Sequence, residues 1–120
     1  MLRLLFASLT LCLLFTSQTN AQIIDNTTPC WYEVKANVIP VGTCMFTGAG
    51  PLYGVPGGTV ITVPKGPTEW VVGYGVRRPP RGPVVVGEPT CGYPASRFVG
   101  GCMGLPTFAT YAGENVTIHF

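Results

Sequence analysis

The sequence predicts an all-β fold: a small two-sheet sandwich with immunoglobulin-like packing, about seven short strands and stabilising disulfides. Three observations lead there. Beyond residue 21, apolar runs that alternate with polar residues are separated by Gly- and Pro-rich turns, and no stretch of useful length carries a helical period. Charge is sparse, at 10% of the chain against 16 glycines and 12 prolines, so the chain must rely on backbone pairing and turns. Four cysteines fall in this same region, an even number in a short chain. A small closed barrel is the alternative architecture.

Residues 1–21 read as a secretory signal. Arg3 precedes the apolar core Leu4–Thr16, and Thr19 and Ala21 satisfy the small-x-small rule, so cleavage leaves Gln22 first. The core is shorter than the roughly 20 residues a membrane-spanning helix needs. Every later apolar run is interrupted by Gly, Pro or a charge, so no transmembrane segment is expected. Cys12 in "LTLC" offers a lipidation alternative, although the residues before it are not the small ones such a site prefers. Residues 22–120 then form one domain, secreted or periplasmic. It carries six basic and five acidic residues, a net charge of +1, which is no footprint for nucleic acid.

The strands follow in order. "DNTTP" (25–29) is a polar lead-in. "CWYEVKANV" (30–38) alternates, with Tyr32, Val34, Ala36 and Val38 on one face and Glu33, Lys35 and Asn37 on the other. "IPVGT" turns and "CMFT" (44–47) is a short strand. "GAGPLYGVPGG" (48–58) is loop, "TVITVP" (59–64) a strand, and "TEWVVGYGV" (68–76) another, with Trp70, Val72, Tyr74 and Val76 on one face. Gly73 and Gly75 fall on the opposite face, where a second layer or a bulge can approach closely. "VVV" (84–86) is a strand, the segment from Gly87 to Pro106 a long loop, and "TFATYA" (107–112) and "NVTIHF" (115–120) close the chain.

Cys30, Cys44, Cys91 and Cys102 are expected in two disulfides. A metal site is not, because no close C-x2-C pair occurs and the chain has one His. Pairing of neighbours, Cys30 with Cys44 and Cys91 with Cys102, is the default of three possibilities. One consideration disturbs it: if Ile39–Thr43 is a tight hairpin, Cys30 lies about 20 Å beyond the residue opposite Cys44. Cys91 with Cys102 is the firmer of the two.

"CWYEVKANV", "VPGGTVITVP", the Trp-bearing strand, the Cys-bounded loop and "NVTIHF" together resemble small secreted bacterial β-sandwich proteins. The resemblance implies the fold. It implies no activity and no site residue.

Catalytic constellations are thin. Ser96 is the only serine after the signal and His119 the only histidine. A Ser96–His119–Asp25 set has no supporting motif, and His119 reads as a sheet-surface residue. Glu33 and Glu69 are the carboxylates closest to a pair for glycoside cleavage, but each reads as a solvent-face charge. No enzyme activity and no cofactor are expected. Trp31 and Trp70 are candidates for an aromatic binding platform. Asn26 and Asn115 begin N-x-T sequons, which matter only in a eukaryotic secretory route.

The densest feature is "VRRPPRGPVVV" (76–86), with three of the six basic residues that follow the signal. Arg77, Pro80 and Pro83 match R-x-x-P-x-x-P, a polyproline ligand, and a stiff loop presenting Arg78 or Arg81 would suit an inhibitor. The simpler reading is that Arg and Pro protect a loop or edge of a β protein from unwanted pairing. The function expected is a secreted, non-catalytic binding or surface-structural protein whose partner is an extracellular protein or glycan. Its candidate binding residues are Arg77, Arg78, Arg81, Trp31 and Trp70. A small inhibitor or toxin-like effector acting through residues 77–83 is the alternative.

Overall fold

Alternating side chains, and the Gly/Pro turns between them, lay the chain out in two layers of strands. The computed structural model describes residues 21–47 and 50–120. The predicted signal segment before Ala21, with Cys12, lies outside the described residues. In chain order the strands are β1 (Ala21–Asn26), β2 (Tyr32–Pro40), β3 (Leu52–Val55), β4 (Val60–Pro64), β5 (Glu69–Arg77), β6 (Val84–Gly87), β7 (Ser96–Cys102), β8 (Leu105–Ala112) and β9 (Asn115–His119). One sheet runs β4-β1-β9-β8-β7 and the other β3-β2-β5-β6. All pairings are antiparallel except β1 with β9, where Ile24 stands opposite Val116.

The architecture is the expected disulfide-stabilised two-sheet sandwich. Ile24, Val63 and Ile118 of the five-stranded sheet face Val34, Tyr74 and Val76 of the four-stranded one, all fully buried. Burying such a side chain contributes about 1.5–3 kcal/mol. Tyrosines tie the layers where they cross. The Tyr74 hydroxyl donates to Glu114 O (2.6 Å) and that of Tyr111 to Val71 O (2.7 Å). Burial, reinforced by the neighbouring Glu114 carboxylate, pushes both phenols well above their ordinary range.

Nine strands stand among the described residues where about seven were expected, and the differences have causes. Residues 44–47 are not a strand. After β2 the chain crosses the outside of the four-stranded sheet as a loop. Three strands lie where loops or lead-ins were expected. β1 is hidden because Asn26, fully buried, reads as polar. β3 has four residues between Gly/Pro clusters, and in β7 a register break between Phe98 and Gly100 destroys the alternation.

A second break, between Asn37 and Val38, rotates the end of β2. Asn37 and Ile39 become buried while Val38 is half-buried. On β5 the same irregularity turns Val71 into the core, with Tyr74 and Val76, in place of Trp70 and Val72.

The neighbour pairing of cysteines is overturned. The bridges are Cys30–Cys102 (Cα–Cα 5.9 Å) and Cys44–Cys91 (5.4 Å). Cys30 and Cys44 flank opposite ends of the extended β2, and Cys102 ends the extended β7 while Cys91 precedes it. Each neighbour pair is thus held about 20 Å or more apart by a strand at ~3.3 Å per residue, against the 4.4–6.8 Å a disulfide spans. Cys30–Cys102 staples one sheet to the other. Cys44–Cys91 fixes the outer loop to the short 3-10 turn Pro89–Cys91.

Candidate functional site

The Gly-x-Gly of β5 creates the most distinctive surface. Tyr74 and Val76 send their side chains into the core, so Gly73 and Gly75 leave the outer face of a central strand bare. Register completes the picture. Lys35 of β2 and Val85 of β6 stand on either side of Gly75, and Leu52 of β3 stands beyond Lys35. The result is a trough of about 310 Å³ lined by Glu33, Lys35, Phe46, Leu52, Gly75, Arg77, Pro83 and Val85. One end is closed by Phe46, which sits over Gly73, 3.6 Å from where a Cβ there would lie. The other is closed by Pro83 and the Arg77 Nε–Glu33 Oε2 ion pair at 2.9 Å. The floor at Gly75 is open: a Cβ there would meet only the Lys35 Cβ, at 4.0 Å.

Phe46 is held from several sides. Besides the Cys44–Cys91 bridge, Asn37 Nδ2 donates to Met45 O (3.1 Å) and Asn37 Oδ1 accepts from Thr47 N–H (3.2 Å). Trp70 Nε1–H donates to Thr43 O (3.0 Å), the Tyr93 hydroxyl donates to Cys44 O (2.7 Å), and the Tyr93 ring meets Phe46 edge-on at 6.0 Å. The wall of the trough is therefore preorganised by buried Asn37 and by Trp70.

The sequence-predicted residues separate. Arg77 lines the trough. Arg78 leaves it: Nη1 donates to Trp31 O (2.9 Å), Nε donates to Gly101 O (3.3 Å), and the guanidinium lies 5.5 Å from the Tyr32 ring centre. Arg81, the one exposed arginine of the three, stacks on Phe98 at 5.1 Å. The segment is a turn closed by Arg81 N–H to Arg78 O (2.9 Å), with a cis Pro79–Pro80 bond. It is not an extended polyproline ligand.

Trp31 and Trp70 do not form one platform. Trp31 precedes β2 and rests against Gly54, whereas Trp70 pairs with Ile39 eight residues along, about 26 Å away at 3.3 Å per residue. Glu33 and Glu69, opposite Arg77 and Pro40, stand about 23 Å apart by the same measure, beyond the reach of a carboxylate pair. Ser96 and His119 share no hydrogen bond. Thr110 stands between them, 3.0 Å from Ser96 Oγ and 2.8 Å from His119 Nε2, while His119 Nδ1 lies 2.9 Å from Phe120 O. The four cysteines among the described residues are all in disulfides and so supply no thiolate to a metal. Sequence reasoning missed Phe46, Leu52 and Val85, and the Gly-x-Gly on a strand was the signal that pointed to their position.

Neither protein-family models, nor curated proteins, nor solved structures give a match to this chain.

Proposed function

We propose that the protein is a secreted, non-catalytic binding module, and that its ligand is an extracellular protein that seats one large apolar side chain in the trough over Gly75. The observation behind this is the side-chain-free floor in the middle of an otherwise complete sheet. Its volume suits a single buried anchor, its walls are mainly apolar, and Glu33, Lys35 and Arg77 place both signs of charge at the rim. That is the make-up of an interface core with a polar border. Two disulfides fit an oxidising compartment, and no helix among the described residues is long and apolar enough to cross a membrane.

Gly75→Val tests the reading because it fills the floor without touching backbone. A photo-crosslinking residue at exposed Leu52 is expected to capture a defined extracellular protein from the exporting cells, and Gly75→Val should abolish that product while the fold survives. An unchanged crosslinking pattern in Gly75→Val, or none in either protein, overturns the proposal.

A further inference from the structure

The β7–β8 hairpin ends in an apolar knob that the fold itself does not use. Met103 and Gly104 make the whole turn, between the paired residues Cys102 and Leu105. Both have positive φ, 53° and 79°, as in the hairpin turn whose first position ordinarily takes Asn, Asp or Gly. A methionine there holds a left-handed backbone that its Cβ opposes. No packing in the monomer compensates, because Met103 is 80% exposed, the most of any large apolar residue among the described ones. An uncommon backbone conformation kept at an exposed apolar residue points to a use outside the monomer.

The knob has a fixed base and no charge. Cys102 is bridged to Cys30, just ahead of β2, and Gly101 O accepts from Arg78 Nε (3.3 Å). Residues 101–106 contain no charged side chain, and Met103, Gly104, Leu105 and Pro106 are all exposed. An exposed apolar tip of this kind marks a contact surface.

The trough over Gly75 suits this knob. A methionine side chain is unbranched and adaptable, and Leu52, Val85 and Phe46 wall a volume of about 310 Å³ above the bare floor. An uncharged tip meets no like charge at a rim that carries Glu33, Lys35 and Arg77. The hairpin cannot reach its own trough, since it belongs to the five-stranded sheet and the trough lies on the outer face of the four-stranded one. We propose that the trough's ligand is a second copy of this chain, whose Met103 enters over Gly75. The proposal rests on the trough reading above and names its partner. Knob and trough are different surfaces, so the contact is heterologous and repeats from copy to copy.

The test is sedimentation velocity from about 10 µM to about 1 mM, the range of a small interface. The wild-type mass should rise with concentration. Gly75→Val fills the trough, and Met103→Asn gives the turn its preferred residue, so each should keep the fold and associate about tenfold or more weakly. An equal mixture of the two should recover association but stop at a one-to-one pair, because one supplies the only intact knob and the other the only intact trough. Three results overturn the proposal: a wild type that stays monomeric to about 1 mM, a Met103→Asn variant that associates like wild type, or a mixture no more associated than either variant alone. Photo-crosslinking at Leu52 separates this failure from that of the trough reading. The expected product is two copies of the chain, joined from Leu52 of one to the Met103 hairpin of the other. Capture of a different protein, lost in Gly75→Val, would leave the trough reading standing and remove self-association, whereas no product sensitive to Gly75→Val would remove both.

Discussion

Asn26 should be among the most costly single positions in the protein to change. Its side chain leaves β1 in one sheet and reaches the end of β3 in the other. Nδ2 donates to Cys30 O (2.7 Å) and Val55 O (3.1 Å), with Pro56 O at 3.3 Å, and Oδ1 accepts from Thr28 N–H (3.1 Å) and the Thr28 hydroxyl (2.7 Å). The residue is fully buried, so no water replaces these partners. Asn26→Ala takes the donor away from three carbonyl oxygens on one side and orphans two donors on the other. Each buried group left unpaired costs about 1–3 kcal/mol, and allowing for relaxation the total is about 3–5 kcal/mol. In a domain near 100 residues, with about 5–15 kcal/mol of stability, that is a large share, and it lowers Tm by roughly 15–30 °C. Asn26→Asp keeps the acceptor toward Thr28 but turns lone pairs toward those three carbonyls, so at neutral pH it should cost at least as much. Asn115 is the control. Its Oδ1 accepts from Ile23 N–H at an exposed site (2.9 Å), and its loss should cost about 1 kcal/mol or less. The assay is guanidinium unfolding of the three variants. An Asn26→Ala cost below about 1 kcal/mol, or one equal to that of Asn115→Ala, would refute the reasoning.

Other expectations follow from the same geometry. Gly73 and Gly75 should differ sharply. A Cβ at Gly73 would lie 2.8 Å from Val86 O, so Gly73→Val should cost about 3 kcal/mol, whereas Gly75→Val should be neutral or slightly stabilising. Equal unfolding midpoints would contradict this. Tyr74 and Tyr111 are raised in the folded state, so their contribution is complete below the unfolded-state value of about 10 and is lost as pH rises above it, at up to ~1.4 kcal/mol per pH unit each. Tyr74→Phe should flatten that alkaline decline, and an unaltered slope counts against burial as the cause. Mild thiol reductants should open Cys44–Cys91 before Cys30–Cys102, because Cys44 is exposed and Cys102 is buried. Differential alkylation read by mass spectrometry decides it. In a eukaryotic host a glycan on the folded protein should be found only at Asn115, since Asn26 Nδ2 is buried and bonded, and peptide mapping checks this.

What could be read in advance was whatever depends on local periodicity. The alternation in 32–36 and 115–119 and the Gly/Pro punctuation are local, and they led to the sheets, the sandwich and the bare Gly-x-Gly face. What escaped depends on partners far along the chain. Asn26 reads as lead-in because its three carbonyl partners come from a turn and from a strand that is itself four residues long. The register breaks at Asn37/Val38 and Phe98/Gly100 leave no periodic mark, so the faces of β2 and β5 were inverted beyond them and β7 looked like loop. Cysteine pairing failed for the same reason: proximity in sequence misleads when a strand separates the neighbours. The trough was half legible. Its floor is in the sequence, but Phe46 reaches it through a loop whose anchors, Asn37, Trp70, Tyr93 and Cys91, come from separate parts of the chain.

The arginine-rich stretch shows why basic residues in one segment cannot be treated as one site. Strand alternation turns Arg77 to the outer face, where it closes the trough with Glu33. The next residue, Arg78, turns the other way and bonds two main-chain carbonyls beside the Cys30–Cys102 staple. After the turn the Arg81 side chain passes Gly100 and lies over the ring of Phe98, and Pro83 returns to the trough. The three arginines should therefore respond differently to the same change. Arg78→Ser removes two charge-assisted bonds at a half-exposed site and should cost about 1–2 kcal/mol, whereas Arg81→Ser should leave the unfolding midpoint in place. Substituting all three together would mix a loosened sandwich, an altered trough and a discharged edge, and loss of binding in that variant would identify none of them. Single substitutions separate the three. If Arg78→Ser proves as harmless to stability as Arg81→Ser, the two carbonyl bonds carry no weight, and Arg78 is then as free as its neighbour to serve a ligand.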